Sequence, residues 1–359
     1  MTSHPLRGTI TDRFCLSKPG ALKETWHLVI DVDPFPFSPG DSVGVWPRNA
    51  AAAVHDTLDY FHLSPTALID GLPASSYLSE KVDLNAVCGP FIQLCAKAAF
   101  SEEDRRTVCS QSAEGYNIPQ FLRTFVPHGM DFNEVRQCLL PIRPRLYSIS
   151  SGPSGGRHRI ELTVARVVYT RHGRPRHGLC SHYLTQEAPL HLPVLSLFHQ
   201  PSRHFSFPSD PKTPLIMVGS GTGVAPFRAF MQEVECGAIA PPACWLFFGG
   251  RTREFDFLYE EFWNKHVEAG RLKLDCAFSQ DQEHKIYVQH RMWEQRKELW
   301  QWLNDGASLL VCGDAKTMAK DVDACLVNIA SKEGSLHEEE ALKLLSSLRH
   351  ERRYLRDVY

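Results

Sequence analysis

The chain opens with short alternations of apolar and polar residues, switches to helical periodicity near residue 50, and ends in an α/β rhythm. In the first 48 residues, Thr25-Trp26-His27-Leu28-Val29-Ile30 predicts a strand, and the run from Pro34 to Gly40 breaks it. Gly40-Asp41-Ser42-Val43-Gly44-Val45-Trp46-Pro47 predicts a turn and a further strand, a barrel-like piece. From Ala50 to His62 the period becomes helical, with Val54, Leu58 and Phe61 on one face. Ser101 to Ser112, Ile118 to Val126 and Asp131 to Leu140 also read as helices, so roughly 50–140 is a mostly helical block. Strand chemistry returns at Arg145. Ile160 to Ala165 and Val167 to Tyr169 predict strands, a Gly/Arg/His-rich turn covers Arg171 to Gly178, and Pro189 to His199 holds at least one more strand. A helical block between two sets of strands predicts an insertion into an antiparallel β-barrel. From Pro211 onward, apolar runs at 214–218, 244–248, about 272–278 and 308–312 alternate with helical runs, the signature of a parallel α/β sheet. Met318, Val322, Cys325, Leu326 and Ile329 mark one helix, which Gly334 stops. Ser335-x-x-Glu338 reads as a capping box for the next helix, running to about Arg349.

Composition fits this division. At 359 residues the chain is long for a single core and suits two domains, at 1–207 and 208–359. Its 43% hydrophobic and 22% charged residues describe a globular protein, and a net charge of −2 argues against nucleic-acid binding. No apolar run approaches the roughly 20 residues of a membrane helix, and Met1 to Gly8 lacks a signal-peptide core. Eleven scattered cysteines without a C-x-x-C pair imply reduced thiols and a cytoplasmic setting, with neither a disulfide framework nor a zinc site. The histidines form no H-E-x-x-H, and no metal is expected.

Two stretches carry candidate chemistry. Gly219-Ser220-Gly221-Thr222-Gly223-Val224-Ala225-Pro226-Phe227 follows an apolar strand and precedes an amphipathic run from Arg228 to Glu235. Strand, glycine loop and helix start can form a phosphate cradle, because backbone N–H groups and the helix dipole point at an anion. The loop is not G-x-G-x-x-G, since Val224 holds the sixth position. The next strand ends in Gly249-Gly250-Arg251 without the acid that grips a ribose. From these residues alone the loop is either that cradle or a tight turn without a ligand. The second stretch is Arg145-Leu146-Tyr147-Ser148, where an arginine, an aromatic and a hydroxyl alternate so that their side chains can share a face. Arg145 can hold a phosphate, Tyr147 can lie on a planar ring and Ser148 can donate at the ring's edge. An ordinary edge strand is the alternative. Read alone, Ser181 is a helix N-cap, Cys312 packs a buried strand, and Tyr359 is a chain end.

R-x-Y-S at Arg145, the strand Thr163-Val164-Ala165, G-x-x-S at Gly178 and G-x-G-T-G-x-A-P-F at Gly219, in this order, resemble the ferredoxin–NADP⁺ reductase superfamily. The helical insert narrows the resemblance to the diflavin reductases. Trp245-Leu246-Phe247-Phe248-Gly249, Asp256-Phe257-Leu258-Tyr259, Lys285-Ile286-Tyr287-Val288-Gln289, Val311-Cys312-Gly313-Asp314-Ala315, Met318-Ala319-Lys320-Asp321-Val322 and Arg352 to Tyr359 narrow it to the FAD/NADPH-binding half of the sulfite reductase flavoproteins. The resemblance covers essentially the whole chain, most strongly from 141 onward. It implies an FAD-binding barrel at 1–207, with a connecting insert at about 50–140, and an NADP(H)-binding domain at 208–359. It also implies an enzyme that passes electrons from NADPH through FAD to an acceptor.

The resemblance further implies roles for residues. Arg145, Leu146, Tyr147 and Ser148 would bind FAD, with Arg145 at the pyrophosphate, Tyr147 stacked on the isoalloxazine and Ser148 near N5. Thr163, Val164, Ala165 and Tyr169 match further FAD contacts, and Gly178, Leu179, Cys180 and Ser181 match the loop at the FAD pyrophosphate. Tyr359 would cover the other flavin face until nicotinamide displaces it, while Ser148, Cys312 and Asp357 would line the site of hydride transfer. Gly221, Thr222, Gly223, Ser279, Gln280, Lys285, Ile286, Tyr287, Val288, Gln289 and Asp321 match NADP contacts.

The chain departs from the family pattern twice. Gln280 follows Ser279 where the family carries the arginine that grips the 2′-phosphate, so a charge and a bidentate fork are lost. Lys285, Tyr287 and Ser279 are retained and Arg251 is a further source of charge, so NADPH is expected to bind with weakened discrimination against NADH. The barrel also begins almost at Met1, so no FMN domain is expected in the chain. The expected acceptor is then a separate flavodoxin, ferredoxin or sirohaem or other haem protein. Two rival readings are a stand-alone flavodoxin or ferredoxin reductase, and a degenerate flavoprotein serving as an assembly subunit.

Overall fold

The computed structural model describes residues 5–98, 102–110, 115–171, 173–241 and 243–359. Strands β1 (Leu6–Cys15), β2 (Thr25–Val32) and β3 (Ser42–Trp46) are followed by a helical segment that carries the small hairpin β4 (Leu68–Ile69) and β5 (Leu72–Pro73). The chain then returns as β6 (Arg145–Ser148) and β7 (Arg159–Ala165), makes the hairpin β8 (Val168–Arg171) and β9 (Arg174–His177), and completes the first sheet with β10 (Leu195–Gln200). That sheet has the order β6-β3-β10-β1-β2-β7, with every pairing antiparallel. Its two ends meet at an antiparallel bridge between Ile149 and Leu162, which rolls the sheet into a barrel. Inward-facing Ile10, Leu28, Ile30, Val43, Val45, Ile160, Leu162 and Leu197 fill it.

The helical segment between β3 and β6 has a core of its own, built from Val54, Leu58, Leu78, Phe91, Phe121, Leu122 and Val135 among others. The structure shortens the expected helices to Ala51–Tyr60, Ile118–Phe125 and Phe132–Arg136 and adds Ala74–Glu80 and Gly89–Lys97. Another helix spans Glu102–Ser110; the remaining residues of the expected 101–112 helix lie outside the described ones. The expected turn from Arg171 to Gly178 is in part a strand, β9, because a short hairpin pairs Val168 with His177.

The C-terminal part is a parallel sheet of β11 (Leu215–Ser220), β12 (Cys244–Gly250), β13 (Lys273–Phe278), β14 (Ser308–Gly313) and β15 (Tyr354–Val358), in the order β13-β12-β11-β14-β15. Helices cover both faces, so its strands read as nearly continuous apolar runs. Ile216, Val218, Trp245, Phe247, Leu309 and Val311 face one core, and Leu215, Met217, Leu246, Phe248, Leu310 and Cys312 face the other. Phe205 packs in that second core with Phe227, a few residues before the expected boundary at 207. The final helix, Glu338–His350, is capped two residues later than Ser335-x-x-Glu338 implies: His337 and Glu340 form the capping box. Ser335 has φ 55, a left-handed turn that ends the preceding connection rather than starting a helix.

Candidate active site

Open α/β sheets bind ligands at the carboxyl ends of strands, where the strand order reverses. Here β11 is the first strand of the sheet and its neighbours β12 and β14 lie on opposite sides, so the switch point falls at the ends of β11 and β14. The glycine loop leaves β11 at that point, turns through a 3₁₀ segment, Gly221–Val224, and enters the helix Ala225–Glu235. An ideal Cβ on Gly223 would lie 2.7 Å from the carbonyl carbon of Cys312, and nearer still to its oxygen. Only glycine therefore lets the loop lie flat against the end of β14.

Strand register brings the expected catalytic residues together. Cys312 is paired with Gly219 on one side and with Asp357 on the other. The Ser148 hydroxyl reaches across from the barrel to Asp357 Oδ2 at 3.5 Å, and the Cys312 thiol lies 4.0 Å from the same oxygen. Tyr359 is anchored by its backbone to Gly313 and Ala315, its ring is largely exposed, and its hydroxyl is hydrogen-bonded to Thr222 Oγ1 at 2.8 Å. Burial raises the Asp357 carboxyl above the ordinary carboxylate value, with the Ser148 hydrogen bond opposing it. Burial and the Asp357 charge push the Cys312 thiol far up, so Cys312 is a neutral thiol here and not a nucleophile.

The R-x-Y-S strand differs from the expected single face. Side chains alternate on β6, so Tyr147 packs with the barrel core beside Cys180 while Ser148 faces Asp357 on the opposite side. Arg145 and Leu146 are exposed. The Arg145 guanidinium makes no hydrogen bond or ion pair among the described residues, although it lies within electrostatic reach of Asp83. Thr163 and Val164 are buried, and the Thr163 hydroxyl is hydrogen-bonded to that of Tyr259 at 2.6 Å. Ala165 is half-buried and Tyr169 is exposed. In the Gly178–Ser181 turn the N-cap is Gly178, not Ser181. The Ser181 hydroxyl instead donates to the Gly178 carbonyl and accepts from Val167 N–H, both at 3.1 Å, which holds the turn against the β7–β8 connection. Leu179 is half-buried and Cys180 buried, its thiol pushed up to about 12 by burial.

The third group surrounds the ends of β12 and β13. Ser279 N–H donates to the Gly250 carbonyl and Gln280 N–H to the Arg251 carbonyl, at 3.1 and 2.7 Å. Gln280, Lys285 and Tyr287 are exposed. Ile286 and Val288 pack into the core and so anchor the segment, while Gln289 Nε2 donates to Asp321 Oδ2 at 3.1 Å. Among the described residues Arg251 Nη1 is buried with no hydrogen-bond partner, a guanidinium left with donors to spare beside Gln280. Sequence reasoning passed over a further set: Tyr259, Arg228, His27 and Glu161. Tyr259 stood in a motif but only as part of a resemblance, and no local pattern pairs residues this far apart in sequence.

These arrangements fit two ligands. Arg145 and the Gly178 turn offer a cation and backbone N–H groups, with Leu146 and Tyr169 exposed as apolar surface. The glycine loop, Lys285 and Arg251 suit a polyanionic dinucleotide. Among the described residues, no cluster of His, Cys, Asp or Glu is arranged to hold a metal ion, and no helix is long and apolar enough to cross a membrane.

Comparison with known proteins agrees with the geometry. Residues 217–324 match the oxidoreductase NAD-binding domain family. The sulfite reductase [NADPH] flavoprotein alpha-component of Bacillus subtilis (strain 168) is 36% identical over 99% of this chain and 61% of its own length. The corresponding proteins of Shewanella sp. (strain ANA-3) and Vibrio cholerae are 37% and 38% identical, over 95% and 94% of this chain and 58% and 56% of theirs. The chain is thus a relative of the sulfite reductase flavoprotein alpha-components that carries an oxidoreductase NAD-binding domain and spans about three fifths of their length.

Proposed function

We propose that this chain is an NADPH-oxidising flavoprotein reductase unit that binds FAD on the barrel, at 1–207, and NADPH on the α/β part, at 208–359. The observation that carries the reading is the convergence of Ser148, from the barrel, on Asp357 and Cys312, at the switch point of the parallel sheet. A site assembled from both halves suits a reaction between two bound cofactors. When bound, FAD supplies the chemistry of accepting a hydride and releasing electrons singly. The protein's own part is to bind and orient. Arg145 and the Gly178 turn hold the pyrophosphate of FAD, and Leu146, Tyr147 and Tyr169 bound its rings. Ser148 keeps a hydroxyl at the reacting edge, held by Asp357. Gly221, Thr222 and Gly223 cradle the dinucleotide pyrophosphate. Tyr359, tethered by backbone hydrogen bonds and by its hydroxyl to Thr222 Oγ1, covers the site until nicotinamide displaces it. Ser279, Lys285 and Tyr287 take the adenosine end, and Gln280 weakens the choice of NADPH over NADH.

The electrons leave for an acceptor outside residues 1–359, a flavodoxin, a ferredoxin or a haem or sirohaem protein. The eleven cysteines are free thiols, which supports a cytoplasmic setting. Reconstitution with FAD followed by anaerobic mixing with NADPH and with NADH tests the reading. Bleaching of the flavin by NADPH supports it. A protein that takes up no FAD, or whose flavin stays oxidised, removes it.

A further inference from the structure

We propose that Arg228 and Tyr259 are positioning residues for the reaction proposed above, holding the glycine-loop helix and the barrel in the one docking that closes Ser148 on Asp357. The inference rests on that reading and adds residues to which it gives no role.

The helix that begins at the glycine loop, Ala225–Glu235, lies against the segment that leaves β6 just after Ser148. Arg228 Nη1 donates to the Ser150 carbonyl at 2.7 Å and to Glu161 Oε2 at 2.5 Å. One turn further on, Gln232 accepts from Gly152 N–H at 2.7 Å, and Glu233 accepts from the Ser154 N–H and hydroxyl at 2.9 and 2.7 Å. One helix therefore carries the phosphate cradle at its start and a docking face for the Ser148–Ser154 segment along its side. Any shift of that helix moves the cradle relative to the barrel.

Tyr259 fixes the same junction from the other side. Its hydroxyl sits between Thr163 Oγ1 at 2.6 Å and His27 Nδ1 at 2.9 Å, and the Arg228 guanidinium lies 4.7 Å over its ring. Glu161 closes the network, with His27 Nε2 3.7 Å from its Oε2. Arg228 and Glu161 are only 12% and 15% exposed, so removing either leaves a poorly hydrated charge behind. Tyr259 also has φ 59, a left-handed conformation that a bulky residue adopts only where its surroundings over-determine it. Thr163, His27 and Glu161 belong to the paired barrel strands β2 and β7, so the junction rests on rigid elements.

Reacting atoms must approach to about 3–3.5 Å, and a misplacement of about 1 Å costs on the order of a hundredfold in rate. The two cofactors of the proposed reaction sit on opposite halves, so this junction sets their separation.

The test uses the FAD-loaded protein and the variants Tyr259→Phe, Arg228→Met and Arg228→Lys. FAD content and the affinity for 2′,5′-ADP are expected to stay within roughly twofold of wild type. The limiting rate of flavin reduction at saturating NADPH is expected to fall roughly 10–100-fold in Arg228→Met and severalfold in Tyr259→Phe, with partial rescue in Arg228→Lys. Its half-saturating NADPH concentration stays unchanged. Limiting rates within twofold of wild type in both Tyr259→Phe and Arg228→Met overturn the inference. So does a loss of FAD or 2′,5′-ADP binding in step with the rate, or failure of both to fold, since either shows a general structural role. A wild-type flavin that NADPH cannot reduce removes the proposed function instead.

Discussion

Replacing Gly223 with alanine tests how the glycine loop works. The new methyl carbon would lie 2.7 Å from the Cys312 carbonyl carbon and 3.1 Å from Gly313 Cα, whereas ordinary contact begins at 3.4 Å. The Cys312 carbonyl oxygen lies nearer still, so the loop and the end of β14 must part by more than 0.7 Å, the difference between 3.4 and 2.7. Both neighbours are backbone, and β14 is pinned between β11 and β15, so the loop gives way. Overpacking of this kind costs about 1–3 kcal/mol, a fall in Tm of roughly 2–8 °C. With the loop in its proposed role at the pyrophosphate, NADP⁺ should bind more weakly and flavin reduction should slow roughly 10–100-fold. 2′,5′-ADP keeps only the adenosine-side phosphate of that pyrophosphate, so its affinity should fall less than that of NADP⁺. Gly221→Asn is the control for Tm alone: Gly221 has φ 53 with nothing within 4 Å of an added Cβ, and asparagine tolerates that conformation. Differential scanning fluorimetry, equilibrium titration and anaerobic stopped-flow absorbance read these effects. A Gly223→Ala protein with unchanged Tm and a reduction rate within twofold of wild type refutes the close-packing argument.

Asp357→Ala should slow flavin reduction about tenfold or more, the equivalent of about 1.4 kcal/mol, without weakening NADP⁺ binding, as stopped-flow and titration will show. The raised Asp357 pKa also places the acid limb of the pH–rate profile above the ordinary 3.8, with rate rising as pH rises, and Asp357→Asn should abolish that limb. Arg251→Ala should weaken 2′,5′-ADP about tenfold or more and leave 5′-AMP unchanged by calorimetry, because a charge-assisted hydrogen bond contributes about 1.5–3 kcal/mol. Gln280→Arg should raise the ratio of kcat/KM for NADPH over NADH; comparable ratios in wild type and variant would remove the role given to Gln280. His27 titrates at about 4 rather than 6.5, chiefly through burial and then the Arg228 charge, with Glu161 and Asp12 opposing and Arg159 adding. Its unfolded form binds the proton more readily, so stability is full above 6.5 and is lost as pH falls toward 4, by about 3 kcal/mol. Urea titrations at pH 7 and 4.5 should show a smaller loss for His27→Gln than for wild type.

Much of the fold was legible because burial imposes period and length. The strands of the parallel sheet are apolar on both faces and stood out as runs, and the helix Met318–Glu333 ends at Gly334 as its pattern implied. Less regular segments hid their structure. β15 is Tyr-Leu-Arg-Asp-Val, a strand whose later residues leave the core to build the site, so its pattern resembles a chain end. Ser335 looked like an N-cap because a hydroxyl three residues before an acid is the usual signal; its left-handed φ is set by the connection, not by its side chain. The site was legible as motifs, because glycines and alternating functional groups are local. The grouping of Ser148, Cys312 and Asp357 followed from resemblance; register places Cys312 beside Asp357, and a long side-chain hydrogen bond brings Ser148 to them. The Arg228–Tyr259 junction joins residues separated by up to 232 positions, and no period carries that information.

In the proposed reaction the barrel and the parallel sheet bring two cofactors together at Ser148, Cys312 and Asp357. The most direct measurement is anaerobic stopped-flow absorbance of the FAD-reconstituted protein mixed with NADPH. Single-turnover bleaching of the flavin band is expected, and it should slow when NADPH deuterated at both C4 positions is used or when Asp357 is replaced by alanine. A flavin that binds yet stays oxidised, or that is bleached at the same rate in Asp357→Ala as in wild type, contradicts it.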